Sequence, residues 1–216
     1  MRDRATEPRI LMGQRGANAA FMPNKFVFPG GAVDVADAEI PLTNSVSPHQ
    51  AACLAVETEM PLVHALQVAA IRELSEETGL MLGSPVTWDN PPEGWENFAA
   101  AGICPDAAAL SFVFRAVTPQ GRPRRFDARF FLVDADHIHG DLDDFSNAED
   151  ELSHLQWVPL GDARGLNLPF ITQVVLAEVI DTLDKPGTRT SVPFFRNDDE
   201  RHLVDQLSGR HPLAND

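Results

Sequence analysis

The chain has 216 residues, with 32 acidic against 17 basic side chains, a formal net charge of −15, 44% hydrophobic residues and two cysteines. That length fits one domain of somewhat above average size, and the acid excess argues against a nucleic-acid polymer or an anionic membrane surface as partner, because both are bound through basic side chains. Cys53 and Cys104 are too few and too far apart for a disulfide framework or a zinc site. No apolar run reaches signal-peptide or membrane-spanning length, so the expectation is a soluble cytoplasmic protein.

In chain order, the hydrophobic pattern predicts a strand over Arg9–Arg15 and a short apolar run, Phe26–Phe28, that stops at Pro29-Gly30-Gly31. A loop follows from Ala32, then a short helix over His49–Glu57 and a break at Pro61. Leu62–Thr78 is the clearest helix. Ala65, Val68, Ile71, Leu74 and Thr78 recur at spacings of three and four, and Gly79 stands where a left-handed cap belongs. Beyond it the pattern predicts a short helix at Trp95–Ala101, strands at Leu110–Val117, Arg129–Val133 and Leu155–Val158, and a helix over Ile171–Leu183 after Pro169. This order points to an α+β or α/β sandwich rather than a doubly wound sheet. No sharp domain boundary is visible; the tail after Lys185 either packs on or hangs loose.

The chemistry concentrates in Arg72-Glu73-Leu74-Ser75-Glu76-Glu77-Thr78-Gly79-Leu80. At about 100° per residue, Glu73, Glu76 and Glu77 fall within an arc of about 100°, which gathers three negative charges near the C-terminal end of a helix, where the dipole disfavours anions. A hard divalent cation held by oxygen ligands offsets such a cluster, and Arg72 can pair with Glu76 across one turn. A solvated acidic face is the plain alternative. Phe28-Pro29-Gly30-Gly31 adds a loop whose glycines allow a backbone to approach a ligand closely.

These residues resemble the Nudix hydrolases, whose box runs G-x5-E-x7-R-E-U-x-E-E-x-G-U, with U an aliphatic residue. Arg72, Glu73, Leu74, Glu76, Glu77, Gly79 and Leu80 match its second half at every fixed position. In the first half Gly31 fits the leading glycine, but Asp37 stands in place of the glutamate, and Gly31 to Arg72 spans 41 positions, an insertion of 27 residues. A box split in this way is similar to the nucleoside diphosphate-linked moiety X motif 19 group, whose members act on coenzyme A esters. Leu11, Arg15, Pro23, Phe28, Pro29, Gly30 and Gly31 also align with an upstream pattern of coenzyme A diphosphatases, with mismatches at Met12, Gly13, Gly16, Ala19 and Asn24.

The resemblance implies a Nudix-type α/β/α sandwich with a mixed central sheet, one domain over 1–216, an insertion over roughly 38–64 between glycine loop and helix, and a C-terminal extension over roughly 186–216. It implies hydrolysis of a diphosphate in a small nucleotide derivative with Mg2+ or Mn2+, with coenzyme A or acyl-coenzyme A the first substrate expected and ADP-ribose or NADH-like dinucleotides the next. Glu73, Glu76, Glu77 and the Gly30 carbonyl are the implied metal ligands, Arg72 orients the glutamates, and the base is either a box glutamate or a carboxylate from a distal loop, where Glu151 is preferred to Glu149 and a solvated acidic turn is the plain alternative. Gly31 lies at the substrate, and Arg15, Lys25, Arg125 and Arg129 are candidate phosphate contacts. Asp37 is placed to hold Arg72, with Glu57 or Glu59 the alternatives; Asp34 follows the glycines as an acidic residue often does in relatives. Trp88 and Trp95 either stack an adenine or form a hydrophobic cluster. A homodimer contact through the insertion is a further expectation.

Overall fold

The computed structural model describes residues 1–19, 21–184 and 191–196, and the backbone of 204–207. Its elements are β1 (Arg9–Arg15), β2 (Phe26–Val27), α1 (Pro48–Ala55), α2 (Met60–Thr78), β3 (Met81–Pro85), α3 (Glu96–Ala100), β4 (Ile103–Pro105), β5 (Ser111–Val117), β6 (Asp127–Leu132), β7 (Ile138–His139), β8 (Leu152–Pro159), α4 (Phe170–Asp184), β9 (Val192–Phe195) and β10 (Val204–Leu207). Short 3-10 turns lie at Val35–Ala38, Ala135–His137 and Ala163–Gly165.

The strands pair in three groups, β2-β1-β8, β10-β9-β5-β6 and β4-β3-β7. β5 lies antiparallel to β6 and parallel to β9, so the second group is a mixed sheet. Side chains of successive strand residues alternate between faces. In β5 a bulge between Phe112 and Phe114 breaks that count and sends the two phenylalanines to opposite sides. Phe112 joins Leu54, Val68, Ile71 and Phe98 in one core; Phe114 joins Ile10, Val158, Leu176 and Val179 in the other. α1 and α2 thus cover one face and α4 the other, an α/β/α sandwich as the sequence suggests. No single helix among the described residues is long and apolar enough to cross a membrane.

Local signals set the helix ends. Ser47 caps α1 by accepting a hydrogen bond from the Gln50 amide at 3.4 Å, and Pro48 opens the helix with its preset φ. The break expected at Pro61 lies a few residues earlier, between Ala55 and Met60, and Pro61 is inside α2. It sits in the first turn, where a missing N–H costs nothing, so the helix starts at Met60 and the expected insertion boundary near residue 64 falls inside it. At the other end Gly79 has φ 75° and its amide returns to the Ser75 carbonyl at 2.7 Å, the left-handed stop expected of it. The tail after Lys185 also differs from a loose appendage: β9 is an inner strand and Phe194 is buried. Residues 185–190, 197–203 and 208–216, the rest of the expected extension, lie outside the described residues.

Arg129, expected to meet phosphate, is instead a structural residue. Arg115 and Arg129 stand directly opposite each other on β5 and β6, a like-charge pair that is unfavourable by itself. Asp127 answers both, with Arg115 Nη2 at 2.8 Å and Arg129 Nη1 at 3.0 Å. Arg115 also donates to the Val56 carbonyl at 2.7 Å and Arg129 to Thr58 Oγ1 at 2.9 Å, while Arg196 forms two hydrogen bonds to Glu57. Three arginines therefore bolt the α1–α2 turn to the sheet, and Glu57 holds a left-handed φ of 51° within it. Burial alone would raise the Asp127 pKa; the Arg115 and Arg129 interactions overcome it and lower it. Replacing Asp127 by Asn leaves two buried guanidiniums uncompensated. The expected loss, measured by urea unfolding, is about 2–3 kcal/mol, less than the roughly 3–5 kcal/mol of a fully buried pair because the Asp127 side chain is 38% exposed; a loss under about 0.5 kcal/mol would contradict the role given to it.

Candidate active site

The site lies at the C-terminal end of α2, beneath the loop Pro29–Gly31. α2 turns Ile71 into the core, which directs Arg72, Glu73, Glu76 and Glu77 toward the loop and β8 side. Arg72 is the hub. Its Nε donates to Asp37 Oδ1 at 2.9 Å and its Nη2 to Asp37 Oδ2 at 3.1 Å and to the Ala32 carbonyl at 2.8 Å. Nη1 donates to Glu73 Oε1 at 2.9 Å and to Glu76 Oε2 at 2.8 Å. Asp37, 1% exposed, is therefore the carboxylate that holds Arg72, whereas Glu57 serves Arg196 and Asp34 stands 3.8 Å off as an exposed neighbour. Burial opposes the Arg72 charge, but the hydrogen bond and charge of Asp37, with Glu73 and Glu76, outweigh it and raise the pKa.

Glu77 is 2% exposed. Its Oε2 accepts the Gly30 amide at 2.6 Å; its Oε1 is buried with no hydrogen-bond partner. Burial pushes its pKa up to about 8 against the pull of the Gly30 amide, and the charges of Glu73 and Glu151 push the same way. The Glu73 pKa is raised as well, first by burial and only partly countered by Arg72. Gly31 lies so near Glu73 that a Cβ there would collide with the carboxylate, which is the physical reason for glycine at this position.

Glu151 reaches the cluster because the loop before β8 is tied to α2: the Glu149 amide donates to the Glu76 carbonyl at 2.7 Å. Glu151 pairs with Arg15 at 3.0 Å, and Arg15 also donates to the Phe21 carbonyl at 3.0 Å. The remaining phosphate candidates are dispersed. Lys25 donates to Asn167 Oδ1 at 2.6 Å, Arg125 is exposed with Nε on the Thr118 carbonyl at 3.3 Å, and Arg129 belongs to the buried network above. Trp88 and Trp95 take the packing alternative: their rings are 5.9 Å apart and Trp95 is buried against Phe98. Arg115 and Phe21 have no place in the motifs read from the sequence. A lone charge inside the apolar run Ser111–Val117 was the available signal for Arg115.

Among the described residues no three acidic, histidine or cysteine side chains are already gathered as a metal-ligating set. Arg72 occupies Glu73 Oε1 and Glu76 Oε2. The residues nonetheless fit a hard divalent cation: the donors are all oxygens, two of the three glutamates are held at raised pKa by burial, and Glu77 keeps a buried oxygen without a partner. Glu73, Glu76 and Glu77 are the groups that would hold it.

No protein-family profile matches the chain. A curated protein of Caenorhabditis elegans, "Putative nudix hydrolase 7", is 30% identical over 168 residues, which cover 71% of this chain and 47% of that one. The chain thus spans about half the length of this relative. The crystal structure of a NUDIX hydrolase from Alicyclobacillus acidocaldarius aligns with a TM-score of 0.56 and 27% identity, over 82% of this chain and 88% of that one. Both support the Nudix hydrolase family, and the second bears out the α/β/α sandwich with a mixed sheet.

Two outcomes follow from this geometry. A cation that takes Glu77 must displace its proton below about pH 8, so Mn2+ affinity should rise from pH 6 to 8, by up to about tenfold per unit, and level off above. Calorimetry in buffers of different ionisation enthalpy measures both affinity and proton release; an affinity flat over that range would remove Glu77 from the ligand set. Gly31→Ala should displace Glu73, lowering Mn2+ affinity at least about tenfold while shifting the midpoint of unfolding little, because the atoms that must move end a flexible side chain.

Proposed function

We propose that this chain, which the Nudix hydrolases resemble in sequence and in fold, hydrolyses the diphosphate linkage of a small nucleoside diphosphate derivative with the aid of Mg2+ or Mn2+. The observation that carries the reading is the buried Glu77 oxygen without a partner, beside Glu73 and Glu76 and under the Gly30 amide. A bound cation would supply neutralisation of phosphate charge and a lowered pKa for water. The chain's own residues set the rest. Arg72, anchored on Asp37 and the Ala32 carbonyl, positions Glu73 and Glu76 through charge-assisted hydrogen bonds. The Gly30–Gly31 loop, whose carbonyl at Gly30 is a further proposed ligand, brings backbone close to the phosphates. Glu151, held by Arg15 and half exposed, is the proposed base that takes the proton of the attacking water at its free carboxylate oxygen.

Coenzyme A or an acyl derivative is the first substrate proposed, giving 3′,5′-ADP and (acyl-)phosphopantetheine; the run from Leu11 to Gly31 and the long separation of Gly31 from Arg72 support it. ADP-ribose or NADH is the second. One domain over 1–216, a cytoplasmic setting and a homodimer contact through the insertion belong to the same proposal. A binding module without turnover is the reading from another class; the complete Arg72, Glu73, Glu76 and Glu77 set speaks against it.

Purified protein with Mg2+ or Mn2+ should release 3′,5′-ADP from coenzyme A. Cleavage of ADP-ribose or NADH alone would keep the glutamate chemistry and overturn the first substrate, and no product from any diphosphate would leave the binding module. Glu76→Gln should lower kcat at least about 100-fold with nucleotide binding retained, since it removes one charged donor and leaves the loop intact.

A further inference from the structure

The β5–β6 hairpin closes at Thr118 and Phe126, where the Thr118 amide donates to the Phe126 carbonyl at 2.8 Å and the Phe126 amide to Thr118 Oγ1 at 3.0 Å. Its tip reads Pro119-Gln120-Gly121-Arg122-Pro123-Arg124-Arg125, three arginines and no acid. In a chain with 32 carboxylates, Arg122, Arg124 and Arg125 are all exposed and none has a carboxylate within salt-bridge distance among the described residues. Such a patch on a molecule of net charge −15 concentrates positive potential where the rest of the surface repels anions.

Beside it stands an aromatic surface. Phe126 is 44% exposed and packs at 4.9 Å on Phe21, which belongs to the loop between β1 and β2. The Phe21 carbonyl is held by Arg15, and the same guanidinium reaches Glu151 at 3.0 Å. One arginine side chain thus links the aromatic pair to the carboxylate cluster, and the arginine tip directly precedes Phe126 in the hairpin. An exposed aromatic face accepts a nucleobase by stacking, and exposed guanidiniums beyond it accept a phosphate.

We propose that Phe126, supported by Phe21, stacks the base of the substrate's nucleoside end, and that Arg122 and Arg124 engage an additional phosphate on that nucleoside, beyond the diphosphate that is cut. This rests on the diphosphatase reading and deepens it: the hairpin selects a phosphorylated nucleoside over its unphosphorylated counterpart.

The test compares coenzyme A with dephospho-coenzyme A as substrates, and adenosine 3′,5′-bisphosphate with AMP as ligands in calorimetry with Mg2+. Wild type should favour the phosphorylated member of each pair. Arg122→Gln with Arg124→Gln should raise KM and Kd for the phosphorylated member about tenfold more than for its counterpart, with kcat within about twofold; neither arginine forms an ion pair among the described residues, so the fold should be unaffected, as thermal unfolding checks. Phe126→Ala should weaken both members of a pair by a similar factor of about five to ten. Equal affinities within each pair in wild type, or an unchanged ratio in the double variant, would overturn the proposal. If wild type cuts no diphosphate, the catalytic reading fails, and the calorimetric ratio still decides the hairpin's role.

Discussion

The Arg72 guanidinium is the interaction on which the rest of the site depends. Three glutamates and Asp37 converge at one end of α2, and without a shared counter-charge their repulsion would drive the helix end, the glycine loop and the 3-10 turn at Val35–Ala38 apart. Arg72 meets the problem by geometry, since its five N–H groups lie in one plane and point three ways. One edge holds Asp37, one arm the Ala32 carbonyl, the other the two glutamates. A lysine in this place would supply the charge without the fork, and the loop would lose its seat.

The sandwich has a matching device at the other end of α2. There the arginines of β5, β6 and the residue after β9 grip the α1–α2 turn, so a helix of 19 residues, about 28 Å long, is fixed at both ends by guanidiniums. The bulge in β5 complements this. By turning Phe112 to one core and Phe114 to the other, it makes one strand the shared wall of both layers, so that neither helical layer can loosen without disturbing the strand that carries Arg115.

Much of the site was legible because its residues sit at helical spacing on a segment with strong periodicity. The convergence of Glu73, Glu76 and Glu77 and the cap at Gly79 follow from local rules, whereas the hold of Asp37 on Arg72 spans 35 residues and is chosen over Glu57 and Glu59 only in the fold. The elements that escaped notice lack those rules. β3 and β4 are short and interrupted by Gly83, Pro85 and Pro105, and β9 contains Pro193; their strand character comes from neighbours in the fold, not from their own composition. Arg129 was misjudged for a related reason. Its burial depends on the neighbouring strand: Arg115 of β5 stands opposite it once β5 and β6 are in register, and Asp127, two residues back on β6, pairs with both.

Asp37 also has a consequence for how the site changes its charge state. An arginine that neutralises acidic groups becomes a buried liability when those groups are claimed by something else. Here the guanidinium has two sets of acceptors, Asp37 with the Ala32 carbonyl and Glu73 with Glu76. Were Glu73 and Glu76 to turn to another positive centre, Arg72 would keep Asp37 and the loop carbonyl and would not be stranded. The acid at position 37 would then serve as a resting berth, which would let the glutamates exchange partners without any movement of the backbone that carries them.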